Sequence, residues 1–184
     1  MDITSYLLGK NSAGGGGGGG SQNDVGNFFN IEPDDMGNTN NAWWMYRMPL
    51  ENIANLEIVS KSGAMTAAFK DCKWAYLPKV VGTFDDGLYM QNMFQNCSNV
   101  KVIDLSELEG AAYRLGSTFN GCSSLEKLDI RKMTIGAGAT YSSMLNSVPT
   151  TCVIVVKDDT VKTWFNTNFS SYTNVKTAAE YDAE

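Results

Sequence analysis

The side chains best placed to do chemistry in this chain are four cysteines and twenty carboxylates, and no histidine is present to work with them. Ser-His and Cys-His nucleophile pairs, imidazole metal ligands and imidazole proton shuttles are therefore excluded. Cys72, Cys97 and Cys122 stand 25 residues apart each time. Metal ligands come as close pairs such as Cys-x-x-Cys, so this spacing predicts stacked thiols serving as small buried apolar groups. Cys152 falls outside the column, and the sequence assigns it no role. The carboxylates sit side by side, as in Asp34-Asp35, Asp85-Asp86 and Asp158-Asp159, which suits solvated turns and helix starts better than paired acid/base work. Asp85-Asp86-Gly87 shares a fragment with calcium loops but lacks their spaced oxygen ligands and closing Glu, so a turn is expected. The seven glycines Gly14 to Gly20 match a dinucleotide fingerprint only trivially, with no strand before them and no βαβ unit after. No catalytic residue, metal site or cofactor is expected.

The elements that position these groups follow from the spacing. Phe69, Phe94 and Phe119 keep the interval of the cysteines, continued by Met144; Met65, Met90 and Leu115 keep it too, continued by Thr140. Val80, Leu105, Ile130 and Val155 form another column, and Ile103, Leu128 and Val153 one more, with Pro78 in the first copy. Within one copy Met90, Phe94 and Cys97 fall on one face of about two turns of helix, and Ile103 and Leu105 share one side of a strand. A copy alone cannot bury that face, whereas stacked copies can, which predicts an α/β leucine-rich-repeat-like solenoid of helix-plus-strand coils with a parallel sheet.

The chain divides accordingly. Residues 1–10 carry Ile3, Tyr6, Leu7 and Leu8; residues 11–23 are a Gly-rich tether; residues 24–62 hold an N-terminal cap and a first partial coil. In that last part Ile53, Leu56 and Ile58 occupy strand slots, and Trp43-Trp44 form either cap packing or a sugar-stacking platform. Residues 63–157 are the repeat solenoid, and residues 158–184 a capping helix, started by Asp158 or Asp159, and an acidic tail expected to fray. A net charge of −6 and a pI near 4.7 argue against nucleic acid as partner. No apolar run is long enough to span a bilayer, and Met1 to Lys10 lacks the pattern of an export signal, so the chain is expected to fold in the cytoplasm without membrane insertion.

Met93-Phe94-Gln-Asn-Cys97-Ser-Asn-Val100-Lys-Val-Ile103-Asp-Leu105 and Thr118-Phe119-Asn-Gly-Cys122-Ser-Ser-Leu125-Glu-Lys-Leu128-Asp-Ile130 resemble BspA-like leucine-rich repeats, whose signature is Met-Phe-x-x-Cys-x-x-Leu-x-x-Leu-x-Leu/Ile. The resemblance covers residues 63–157; the first copy departs from it at Ala75 and Pro78, so its strand is expected to be irregular. Such repeats occur in bacterial surface adhesins and in bacteriophage proteins. The opening Met1-Asp-Ile-Thr-Ser-Tyr6-Leu-Leu-Gly-Lys10 before polyglycine is similar to the start of tail or baseplate proteins in phages of Gram-positive bacteria, and Asn168 to Tyr181 to the cap of phage-encoded members. The resemblance implies a non-enzymatic virion protein assembled in the host cytoplasm, tied to other virion proteins through Ile3, Tyr6, Leu7 and Leu8. Its solenoid would be displayed towards a host-surface glycan or protein, and the chain could associate with itself as the trimers of phage fibres do. A surface adhesin and a carbohydrate-active enzyme with paired carboxylates are the alternatives.

Overall fold

The computed structural model describes residues 57–60, 63–72, 75 and 77–184. The anchor residues Ile3, Tyr6, Leu7 and Leu8, the tether and the Trp43-Trp44 cap lie outside them. The described part is a mixed α/β protein with two parallel four-stranded sheets. In chain order the strands are β1 (Glu57–Val59), β2 (Lys79–Tyr89), β3 (Val102–Asp104), β4 (Glu107–Arg114), β5 (Lys127–Asp129), β6 (Met133–Thr140), β7 (Val153–Val156) and β8 (Val175–Thr177). Helix α1 (Asp159–Asn168) separates β7 from β8, and α2 (Ala178–Asp182) follows β8. One sheet runs β1-β2-β4-β6 and the other β3-β5-β7-β8, and the two middle copies contribute a strand to each, β3 and β4, then β5 and β6. Leu105 and Leu108 on one side of the corner between them, and Ile130 and Met133 in the next copy, turn inward and are buried. The apolar columns of the sequence mark β1 at Ile58, the start of β2 at Val80, and β3, β5 and β7. The rest of β2, and β4 and β6, carry no such mark because their Gly, Asp-Gly and Ala-rich stretches break the period-two pattern of a strand.

The segments expected to be helical are not helices. Residues 66–71, 91–96, 116–121 and 142–147 are runs of linked turns. Alternate amides in a run reach across to the next copy: Asn92 donates to the Gly116 carbonyl (3.0 Å), Phe94 to Thr118 (2.9 Å) and Asn96 to Asn120 (2.7 Å). The amides between them close local turns, Met93 to Met90, Gln95 to Asn92 and Cys97 to Phe94. An α-helix would spend every interior amide within itself and leave none to join copies. The alternation needs a left-handed residue every fourth position, supplied by Asn92 (φ 59°) and Asn96 (φ 62°), then Ser117 (φ 54°) and Gly121 (φ 81°), then Ser143 (φ 56°) and Ser147 (φ 64°). Asn and Gly adopt that conformation with least strain.

Two columns shift by one residue in the last copy. Leu128 pairs with Ile154 rather than Val153, and Asp129 with Val155, so Val156 follows as the neighbour of Ile130 and Val155 turns away from the core cluster. Likewise Phe119 donates to the Met144 carbonyl as Phe94 does to Thr118, which puts Leu145 in the phenylalanine position and Tyr141, not Thr140, beside Leu115. The slip follows irregular pairing in β6, where Arg114 aligns with Thr140 beyond a register shift spanning Gly136 to Ala139. A similar shift in β2 holds Asp85-Asp86-Gly87, which is a bulge inside a strand and not a free turn. Ala75 and Leu77 belong to no strand, so the first copy's irregularity is as expected, although the Lys101 amide still reaches the Ala75 carbonyl at 3.2 Å.

Helix α1 closes the far end. Its Val161 amide donates to the Asp158 carboxylate at 3.0 Å, the expected cap, and Val161 and Phe165 enter the core. The acidic tail does not fray: Thr177 and Glu180 form a capping box that starts α2, which packs on β7 and β8.

Candidate functional site

The repeat residues singled out from the sequence converge inside the stack. Phe69, Phe94 and Phe119 lie ring on ring, with centroids 5.2 and 5.7 Å apart and planes within 5° and 9°. Cys72, Cys97 and Cys122 line the next column; with Leu105 and Ile130 they are buried and belong to the same core cluster. Val155 is buried as well, but on the outer side of its sheet. The thiols do more than fill space. Cys97 Sγ donates to the Phe69 carbonyl at 3.0 Å and Cys122 Sγ to the Phe94 carbonyl at 3.2 Å, each carbonyl already accepting the local turn amide. A weak donor of the right size thus satisfies a buried second lone pair, a role the spacing did not reveal. Thr118 plays the same part in its column, its hydroxyl donating to the Met90 carbonyl at 2.9 Å. The hydrogen bond with Cys122, burial and the neighbouring thiols all push the Cys97 thiol well above its ordinary range. Burial likewise pushes Cys152 up to about 12. These thiols stay protonated and are poor nucleophiles. Beside Phe119 and Phe165 the core leaves a cavity of only about 10 Å³, the room of a single water at most.

Chemistry with a partner therefore falls to outward faces, and the described residues form three of them. The outer face of the β1-β2-β4-β6 sheet carries a charge row, Lys79 3.8 Å from Glu107, which also pairs with Lys132. The Lys132 ammonium hydrogen-bonded to Glu107 holds that carboxyl below its usual range. Tyr89 and Tyr113 stack beside this row with centroids 5.9 Å apart. The Tyr113 ring lies over Gly87 and Gly136, where a Cβ on either would collide with it. Asp85 and Asp86 are exposed on the bulge nearby.

The outer face of the β3-β5-β7-β8 sheet is given over to holding α2. Asp129, 2% exposed, receives Arg131 Nε and Nη2 at 2.9 Å each and lies 3.3 Å from Lys127. Burial opposes its ionisation, but the Arg131 and Lys127 cations outweigh that and hold its carboxyl below the usual range. Arg131 also reaches Asp182 at 2.9 Å, Lys162 grips Glu180 at 2.6 Å, and Lys176 pairs with Glu184. Lys127 lies 4.5 Å from the centroid of the Tyr181 ring. The side-chain carboxylates of Glu180, Asp182 and Glu184 are thus each tied to a cation outside α2. The hydrogen bond from Lys162 and that from the Thr177 amide keep the Glu180 carboxyl low.

The third face is formed by the turn runs. Its first run, 66–71, carries Lys70 and Asp71, whereas residues 90–100, 115–125 and 141–152 contain no charged residue. Gln91, Asn96, Ser142, Ser143, Asn146 and Ser147 are exposed there. Among the described residues no three of His, Cys, Asp and Glu gather as a cation site, and no helix is long and apolar enough to cross a membrane.

No family model, curated protein or solved structure matches the chain. The faces above are accordingly the basis for a functional reading.

Proposed function

We propose that the protein is a non-enzymatic virion component of a bacteriophage infecting Gram-positive bacteria, an appendage whose leucine-rich-repeat-like solenoid is presented to the host surface while residues 1–10 hold it to the particle. The observation that carries the binding-module part of this reading is the register of the stack. Equivalent residues of successive copies lie side by side, from the Phe69-Phe94-Phe119 ladder to the paired strands, so the interior is fully committed to cohesion and only outward positions are free to recognise anything. The virion part rests on the resemblance of residues 63–157 to BspA-like repeats and on the apolar peptide Ile3, Tyr6, Leu7, Leu8 set off by seven glycines. Mass spectrometry of purified particles tests it directly, with this chain expected among the virion proteins. Deleting residues 1–10 should leave the melting temperature of the stack unchanged and remove the chain from particles. Full incorporation of the shortened chain would end the anchor assignment, and detection only in cell envelopes would favour the adhesin.

A further inference from the structure

We infer that the turn-run face is a binding surface for a neutral polysaccharide, read by the side-chain amide and hydroxyl rows Gln95-Asn120-Asn146 and Asn92-Ser117-Ser143. This deepens the reading above by naming the ligand class and the face.

The first ground is charge. The chain carries 34 charged residues, 14 basic and 20 acidic, yet residues 90–100, 115–125 and 141–152 have none. Folded surfaces normally hold roughly a quarter to a third charged residues, which keep them soluble. Here the outward positions are instead amides and hydroxyls, groups whose desolvation costs far less than that of an ion. A phosphate-bearing partner would need several cations here, and among the described turn runs Lys70, at the near end of the Gln95 row and next to Asp71, is the one cation. A protein partner would favour aromatic, Met and Arg side chains at its centre. Sugar hydroxyls, which donate and accept at once, match amides that do the same.

Availability and geometry agree. No hydrogen bond among the described residues engages the side-chain amides of Gln95, Asn120 or Asn146, whereas the Asn96 amide is held by Asp71 at 2.8 Å. Their backbones are fixed. The Gln95 carbonyl accepts from Asp71, the Asn120 carbonyl from Asn96 and the Asn146 carbonyl from Gly121, while each of their own amides closes a local turn. Little further backbone freedom is lost on binding. The rows repeat at the separation of neighbouring strands, roughly 4.8 Å, so a ligand with its own repeat can engage several rows at once. Beside the last run the half-buried Trp164 packs edge-on against Tyr141, with centroids 4.9 Å apart, and also against Phe165 and Phe169.

The test uses the full chain labelled with ¹⁵N and titrated with maltohexaose, cellohexaose and chitohexaose, with polygalacturonate as the anionic control. At least one neutral hexasaccharide should shift the side-chain amide signals of Gln95, Asn120 and Asn146. Asn120→Asp and, separately, Gln95→Glu should weaken that binding at least about tenfold, each folding with an unchanged melting temperature, while Glu109→Gln on the opposite sheet leaves it intact. Silence of all three sugars at about 10 mM would overturn the inference. So would shifts confined to Tyr89 and Tyr113, or a response to polygalacturonate alone. Loss of self-association in Asn120→Asp, without any sugar effect, would reassign the face to a second copy. If particles carry the chain but no sugar moves these signals, only the ligand falls; if sugar binds but no particle carries the chain, only the virion reading falls.

Discussion

The turn-run face and the α2 face of the stack both carry polar side chains and use them in opposite ways. On the α2 side the charges are consumed internally: Arg131 bridges Asp129 and Asp182, and Lys162 and Lys176 hold Glu180 and Glu184. On the turn side the copies are joined by backbone bonds and by the buried thiols and rings, so the outward amides of Gln95, Asn120 and Asn146 are not needed for folding. The lesson is that a polar surface is available for recognition only where the fold has found its cohesion elsewhere.

The comparison is most directly broken from inside. Phe94→Ala, which removes the middle ring of the Phe ladder, should cost about 3 to 5 kcal/mol in a urea unfolding experiment. A loss below about 1 kcal/mol would mean that cohesion on the turn side does not come from the core. Next in size is the α2 side. Arg131→Ala leaves the buried Asp129 with Lys127 as its one neighbouring cation, beside the residue-131 backbone amide, and should cost about 2 to 3 kcal/mol by the same measurement. The folded state holds the Asp129 carboxyl low, so its contribution is present above the unfolded carboxylate range near 3.9 and fades as pH falls through the lower folded value. The stability gap between the wild type and Asp129→Asn, open at about pH 6, should therefore narrow once the pH falls below about 3.9 and close only below the lower folded value.

Ser117→Gly sharpens the distinction between linked turns and helix through its sign. In a helix it would destabilise by a few tenths of a kcal/mol, whereas at φ 54° it should stabilise by about 1 kcal/mol, read as a raised urea midpoint. The smallest effect belongs to Asp182→Asn. An exposed pair of this kind is worth less than about 1 kcal/mol, and the difference from wild type should vanish in about 1 M salt.

The interior of the stack was legible in the sequence because a repeated slot accepts few residue types: a ring at Phe94 and Phe119, a small weak donor at Cys97 and Cys122. The turn runs were misread as helix because Met90, Phe94 and Cys97 fit a helical stripe. The signal against it was also present, in Asn92, Asn96 and Gly121, residues that disfavour helix interiors and recur every fourth place where the backbone turns left-handed. The one-residue slip of the last copy was hidden by redundancy. In Val153-Ile-Val-Val156 and Met144-Leu145 adjacent positions are equally apolar, so either neighbour could fill the slot, and the irregular pairing of Gly136 to Ala139 that decides between them leaves no periodic trace. The docking of the tail was out of reach, since Arg131 and Asp182 meet across 51 residues without any local pattern. The uncharged part of the turn-run face was written plainly in residues 90–100, 115–125 and 141–152. It acquired meaning only once the backbone placed those stretches on one side.

The crossing amide bonds of the turn runs have a mechanical corollary. They point along the direction in which copies are stacked, as do the strand-to-strand bonds of both sheets. A load applied between the two ends would meet one layer of bonds at a time and peel the molecule copy by copy at low force. A load applied across a single copy would be shared by its neighbours above and below, and resisted together.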